Sequence, residues 1–187
     1  METLFNIDLS IFYFINKSIA NPIFDKIFVL LTVQENWYLL YAVLIYFLWS
    51  KYQIRGKIFI LLLVITIFVA DQLSSHLIKE LVGRIRPCHT LQDIRLLVPC
   101  GGGKSFPSSH AVNNFAFAIL LGSFFRNYRV HFIVIATLIA ISRVYVGVHY
   151  PSDVVGGAIL GTLVGFLFVY IHRNLIQKLV ERYLEKK

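Results

Sequence analysis

Five apolar stretches, at residues 37–49, 58–78, 111–125, 130–148 and 154–171, are separated by short polar connections. No other feature constrains the fold as strongly, because a helix needs about 20 such residues to cross a bilayer. Polar residues at the ends of the shorter runs extend each helix toward the interface. A chain of 187 residues has room for five or six spans and no soluble domain beside them. Composition agrees, with 57% hydrophobic and 15% charged residues and a mean hydropathy of +0.70. Soluble domains carry about a quarter charged residues. Disordered, collagen-like and disulfide-scaffold classes are excluded, and no period of 20–50 residues marks a repeat array.

Residues 1–36 read differently. The stretch 4–20 is apolar but broken by Asn6, Asp8, Asn16 and Lys17, and Asn21-Pro22 ends it. A second short run, 23–32, contains Asp25 and Lys26. These pieces are expected to be amphipathic helices lying at the interface, with a sixth span as the alternative. Met1-Glu2-Thr3 lacks the basic region of a signal peptide, so none is expected. The expected fold is an all-α polytopic membrane bundle of five spans. Its parts are the interfacial helices (1–36), the bundle (37–172) and a basic tail (173–187).

The net charge of +8 has a location. Segments 51–57, 126–131 and 172–187 hold ten Lys/Arg against Glu181 and Glu185, and the remainder sums to zero. Five helices alternating in direction place those three segments on one side, which the positive-inside rule makes cytoplasmic. Such a charge suggests headgroup contact and membrane lipids as partners, not nucleic acid. The opposite, outer side receives residues 79–110 and 149–153.

That outer side carries the chemistry. Lys79 and Arg86 are two helical turns apart, so they share a face about 10 Å long. Gly83 and Pro87 loosen and end that helix, while Glu80 and Arg84 at i,i+4 read as a mutual ion pair. Pro107-Ser108-Ser109-His110 starts a helix whose free N–H groups suit a phosphate. His149 ends one span and Asp153 begins the next, a spacing that lets the carboxylate fix the imidazole tautomer. Arg143 lies up to two turns deeper. His110, His149 and Asp153 are also a conceivable zinc or iron set. Lys79, Arg86 and Arg143 would repel a dication and attract a phosphate, so phosphoryl chemistry without metal or other cofactor is expected.

Lys79-x6-Arg86-Pro87, Pro107-Ser108-Ser109-His110 and Ser142-Arg143-x5-His149-x3-Asp153 together resemble the three-part signature of the type 2 phosphatidate phosphatase superfamily. That group includes integral-membrane lipid phosphatases, glucose-6-phosphatase and soluble vanadium haloperoxidases; the spans argue against the last. The helix pattern matches over roughly residues 70–170. One departure is Ser109, where the family pattern has glycine, although a serine amide can still donate to phosphate. The resemblance implies His149 as nucleophile, Asp153 as its orienting partner and His110 as general acid and then base. It implies Lys79, Arg86, Ser108, Ser109 and Arg143 as phosphate ligands.

Other features have plainer readings. Cys88 and Cys100 flank the outer loop and close it as a disulfide in an oxidising compartment, with two free thiols as the alternative. Gly101-Gly102-Gly103-Lys104 reads as a hinge, because it lacks phosphate-loop spacing. Gly157, Gly161 and Gly165 suit close helix contact within the fold, with dimerisation as the alternative; Asp71 reads first as a packing residue, with pairing to a neighbouring helix as the alternative. His89 and Arg95 are candidates for touching a second phosphate. Expected substrates are undecaprenyl diphosphate, phosphatidylglycerol phosphate, lipid A 1-phosphate or phosphatidate. A lipid phosphotransferase and a non-catalytic anion transporter are the rivals.

Overall fold

The computed structural model describes residues 2–176, which form helices and loops without a strand. Helix α1 (Glu2–Tyr13) runs on through a π-helical turn, Phe14–Ser18. Helix α2 (Pro22–Thr32) is capped by the Asn21 side chain, which accepts from the amides of Ile23 and Phe24 at 3.0 and 2.9 Å. Helix α3 (Tyr38–Gln72) continues through a π turn, Leu73–Ile78, into α4 (Lys79–Val82). The short α5 (Pro87–Thr90) precedes a long loop. Then come α6 (Ser109–Phe124), α7 (Arg129–Tyr145) and α8 (Pro151–Ile171), the last continued by a π turn, His172–Ile176.

Among the described residues, three stretches are long and apolar enough to cross a membrane: Gln34–Thr90, Arg126–Tyr145 and Pro151–Ile176. Two of the five expected segments lie inside the first, which is 57 residues long. It is not straight. Gln53 leaves the helix at φ 46° and ψ −126°, and a Cβ on Gly56 would lie 2.0 Å from the Leu48 carbonyl oxygen. Residues eight apart in one straight helix are separated by about 12 Å along its axis, so the chain folds back here. Helix α6 is apolar but has only 16 residues. Residues 177–187, most of the expected basic tail, lie outside the described residues.

Helix α6 is the centre of the bundle, packed between α8, α7 and α3. Its crossing with α8 is built on the expected glycines. Hypothetical Cβ atoms on Gly157, Gly161 and Gly165 would lie 2.7, 2.2 and 2.7 Å from Ser108 O, Val112 O and Ile119 Cβ. The backbone at Gly161 cannot yield as a side chain would. Gly161→Ala is therefore expected to cost about 3 kcal/mol through overpacking, read as a lowered melting temperature in detergent. An unchanged melting temperature would contradict the close crossing.

The two ends of the bundle differ. At one end Phe59 stacks on Phe124 at 4.3 Å and meets His172 at 5.3 Å, with Tyr52 4.9 Å from Phe124. The basic connections at 51–57 and 126–129 and the end of α8 therefore gather together. The three motifs gather at the opposite end.

Two of the polar residues that interrupt residues 4–20, Asp8 and Asn16, have a use inside the protein. Asn16 is fully buried, donates to the carbonyls of Arg95 and Tyr145 at 2.8 Å each and accepts from the Arg95 amide at 2.9 Å. Asp8 is buried as well. The apolar side chains Leu4, Phe5, Ile7 and Ile11 of α1 face outward instead. Asp8 and Asn16, with Phe12, thus face the protein.

Candidate active site

The chain enters the site at the end of α4. Gly83, at φ 66°, ends the helix in the left-handed region that glycine adopts readily. The turn returns Arg86 toward Lys79, and electrostatically Lys79 feels Arg86, Arg143, Asp71 and Asp153. Arg86 Nη1 donates to the Cys100 carbonyl at 3.2 Å, while its Nε is buried without a partner. Cys88 and Cys100 form a disulfide, so the loop that carries this carbonyl is closed.

Helix α6 supplies the second group. Ser108 sits at its N-cap position, but the hydroxyl makes no cap bond and is buried without a partner. Its amide donates to the Asp153 carbonyl at 3.0 Å, which joins the α6 and α8 termini. The Ser109 hydroxyl instead meets Ser75 at 3.1 Å, so only its amide remains for phosphate. One turn on, Asn113 donates to Asp71 at 3.3 Å, so Asp71 takes the pairing with a neighbouring helix, the alternative to packing alone. His110 reaches the Thr32 backbone and lies within electrostatic range of Arg143, His149 and Lys79.

The third group turns on Gly147. Its φ is 87°, and a Cβ there would lie 2.5 Å from the Arg95 carbonyl. This turn brings the amides of Val148 and His149 onto the Arg143 carbonyl at 3.1 and 3.2 Å. His149 is buried, with Nδ1 3.4 Å from Asp153 Oδ2 and 3.4 Å from Ser105 Oγ. Burial holds the imidazole down at about 4, and Arg86 and Arg143 push the same way against the opposing Asp153. His149 is therefore neutral near pH 7. Asp153 is fully buried and saturated: Oδ2 accepts from the Tyr150 amide at 2.8 Å and from Ser105, and Oδ1 accepts from Arg84 at 2.7 Å. A carboxylate so engaged is a poor metal ligand.

Arg143 Nη1 donates to Thr32 Oγ1 at 2.7 Å, and its Nε is buried without a partner. Arg86 Nε, Arg143 Nε and Ser108 Oγ are thus three buried donors left over around one neutral histidine. Unsatisfied buried donors are costly, and an oxyanion satisfies all three. All eight expected catalytic and phosphate-binding residues lie at this end of the bundle.

Three sequence expectations need correction. Glu80 and Arg84 do not pair: Glu80 meets Lys104 at 2.6 Å, while Arg84 turns inward to Asp8 and Asp153. Lys104 is thereby tied to α4 and is no free part of a hinge. Arg95 is not available to a second phosphate, since it holds both oxygens of Asp25 at 2.7–2.8 Å and donates to the Asn16 carbonyl. His89 lies against the Gly101 carbonyl at 3.4 Å. Sequence reading also overlooked Thr32, Ser105 and Asp8, which no local motif marks.

Beside His110 lies a cavity of about 430 Å³ between the end of α2, α3 and α6. Its walls are mostly apolar, including Leu31, Trp37, Ile60 and Phe117. Tyr38 and Val64 on its rim are exposed on the bundle's flank.

The family model described as the PAP2 superfamily matches residues 55–177. The chain is 34% identical to the lipid A 4'-phosphatase of Bacteroides thetaiotaomicron over 96% of its own length and 83% of that protein. It is 29% identical to the lipid A 4'-phosphatase of Porphyromonas gingivalis, over 91% and 74% of the two chains. Among solved structures it resembles Aquifex aeolicus LpxE, with a TM-score of 0.69 and 27% identity over 87% of this chain and 94% of that one.

Proposed function

Because this chain belongs to the PAP2 superfamily, the type 2 phosphatidate phosphatases, we propose that it hydrolyses its substrate through a phosphohistidine on His149. The protein is a membrane lipid phosphatase, a hydrolase acting on phosphoric ester bonds. One observation carries the mechanism: the neutral His149, backed by Asp153, is surrounded by the leftover donors of Arg86, Arg143 and Ser108.

In the first step His149 Nε2 attacks phosphorus as the bond to the lipid oxygen breaks, and His110 gives that oxygen a proton. In the second, His110 takes a proton from water, whose oxygen displaces the histidine and releases inorganic phosphate. Lys79, Arg86, Arg143, the Ser108 hydroxyl and the Ser109 amide hold the phosphoryl oxygens throughout. These cations supply the charge that a metal provides elsewhere, so EDTA is expected to leave turnover intact.

The acid limb of phosphoenzyme formation follows His149. Protonation removes the lone pair, and the lowered value places that loss near pH 4 instead of near 6.5. Labelling of the enzyme from pH 3 to 8, stopped by an alkaline quench that preserves the acid-labile P–N bond, checks this; a midpoint near 6.5 would contradict a buried neutral nucleophile.

The cavity beside His110 suits the hydrocarbon part of the lipid, reached from the side of the bundle. Both lipid A 4'-phosphatases align over more than nine-tenths of this chain, a length that includes Thr32 at the site. The 4'-phosphate of lipid A therefore joins the candidates expected from sequence, and stands first among them. A panel of purified lipid phosphates in detergent, without metal or acceptor, tests this choice. Lipid A monophosphates should release phosphate faster than undecaprenyl diphosphate, phosphatidylglycerol phosphate or phosphatidate. Release that needs a lipid acceptor would indicate a phosphotransferase.

The fold-back at Gln53 and the apolar α6 support five crossings of the cytoplasmic membrane. The basic connections then lie inside and the site faces outward. On this reading residues 2–36 lie at the outer interface and 37–172 form the phosphatase bundle.

A further inference from the structure

Arg84 is an unspecified position inside the first motif, between Lys79 and Arg86, yet it is the most heavily engaged cation at the site. Its Nη1 donates to Asp153 Oδ1 at 2.7 Å and to Ser152 Oγ at 2.6 Å, and its Nη2 donates to Asp8 Oδ2 at 2.6 Å. The guanidinium carbon lies 3.9 Å above the Tyr150 ring centre. Its own carbonyl accepts from the Ser105 amide at 2.6 Å, and Ser105 in turn bonds Asp153.

Asp8 comes from α1, outside the matched family region of 55–177. It is 7% exposed, and besides Arg84 it accepts from the Ser152 amide at 2.8 Å and the Ser152 hydroxyl at 2.5 Å. It thereby caps the start of α8 from another helix, just where Asp153 is presented. Phe5 and Phe12 of α1 seat this contact against Tyr150, at ring distances of 6.3 and 5.9 Å.

We propose that Arg84, held by Asp8, is a positioning residue that orients the Asp153 carboxylate toward His149, so that α1 is a working part of the active site. Planar guanidinium pinned between two carboxylates and an aromatic face has little freedom to rotate. By taking Oδ1, it leaves Oδ2 facing His149 Nδ1. That orientation matters most once His149 carries the phosphoryl group and the imidazole becomes cationic. Arg84 also supplies the counter-charge that a fully buried carboxylate requires. The phosphate ligands are untouched, so the effect falls on the chemical step and not on binding.

This inference rests on the phosphatase reading, and the two fail separately: wild-type turnover tests that reading, and variant ratios test this one. The experiment compares Arg84→Gln, Arg84→Lys, Asp8→Asn and the Arg84→Gln/Asp8→Asn double variant on the same lipid phosphate, after size-exclusion chromatography. Arg84→Gln is expected to lower kcat about 100-fold and Asp8→Asn about tenfold, each with KM within about twofold of wild type. Arg84→Lys should recover about a tenth of the wild-type kcat, because it keeps the charge and loses the fork. The double variant should lose no more than about twofold beyond Arg84→Gln, since Asp8 acts through Arg84. Losses that multiply in the double variant, KM rising in step with falling kcat, or full activity in both single variants would each overturn the proposal. If Arg84→Gln does not fold, Asp8→Asn and Arg84→Lys decide by the same kcat and KM criteria.

Discussion

His149→Ala is expected to reduce phosphate release by about four orders of magnitude or more, the loss typical when a covalent nucleophile is removed. Two features make the effect so large. The buried imidazole is neutral, so essentially all of it is competent near pH 7. Its position is fixed by the Arg143 carbonyl on its amide and by Asp153 and Ser105 beside Nδ1. The Ser109 hydroxyl, engaged with Ser75, is not free to take its place. The check is phosphate release by the purified variant together with phosphoenzyme trapped by an alkaline quench, which should disappear with turnover. Turnover within tenfold of wild type would remove His149 from the mechanism. Retained binding of vanadate alongside lost turnover would separate the nucleophile from the anion cradle.

Arg143→Ala should come next, at about 1,000-fold in kcat/KM, in the range seen for arginines that stabilise phosphoryl transfer. Arg143 contributes more than charge. Its Nη1 is tied to Thr32 of α2, its Nε is one of the leftover donors, and its carbonyl holds the loop that presents His149. A lysine keeps the charge but not the fork, so Arg143→Lys should rescue less than about tenfold of that loss. Vanadate affinity should fall with activity in both variants, unlike in His149→Ala. A loss below tenfold in Arg143→Ala would place the oxyanion elsewhere.

Much of the site is legible in the sequence because its parts repeat local rules. Gly83 and Pro87 end a helix, Pro107 precedes one, and His149 and Asp153 lie either side of a turn. Each rule needs only a few neighbouring residues. Glu80 and Arg84 show where such reading stops. Helical spacing predicts their pairing, but Gly83 breaks the helix between them, and the buried Asp153 is a stronger partner than an exposed Glu80. Asp8 and Asn16 look like interruptions of an apolar run, and they are the residues that fasten it to the protein. Ser105 and Thr32 carry no local signal, since their partners are 48 and 111 residues away.

The sequence by itself determined the all-helical membrane class, the separation of basic from chemical ends, and which stretches carry the ionisable cluster. These follow from hydropathy, from charge counting and from short spacings, all of which are local along the chain. The tertiary structure alone decided which polar groups remain free to meet a phosphate. It also decided that Arg84 serves Asp153 and that the N-terminal helix takes part in the site. Those outcomes depend on which buried charge finds which partner across the fold, and burial makes that choice too costly to leave unsatisfied.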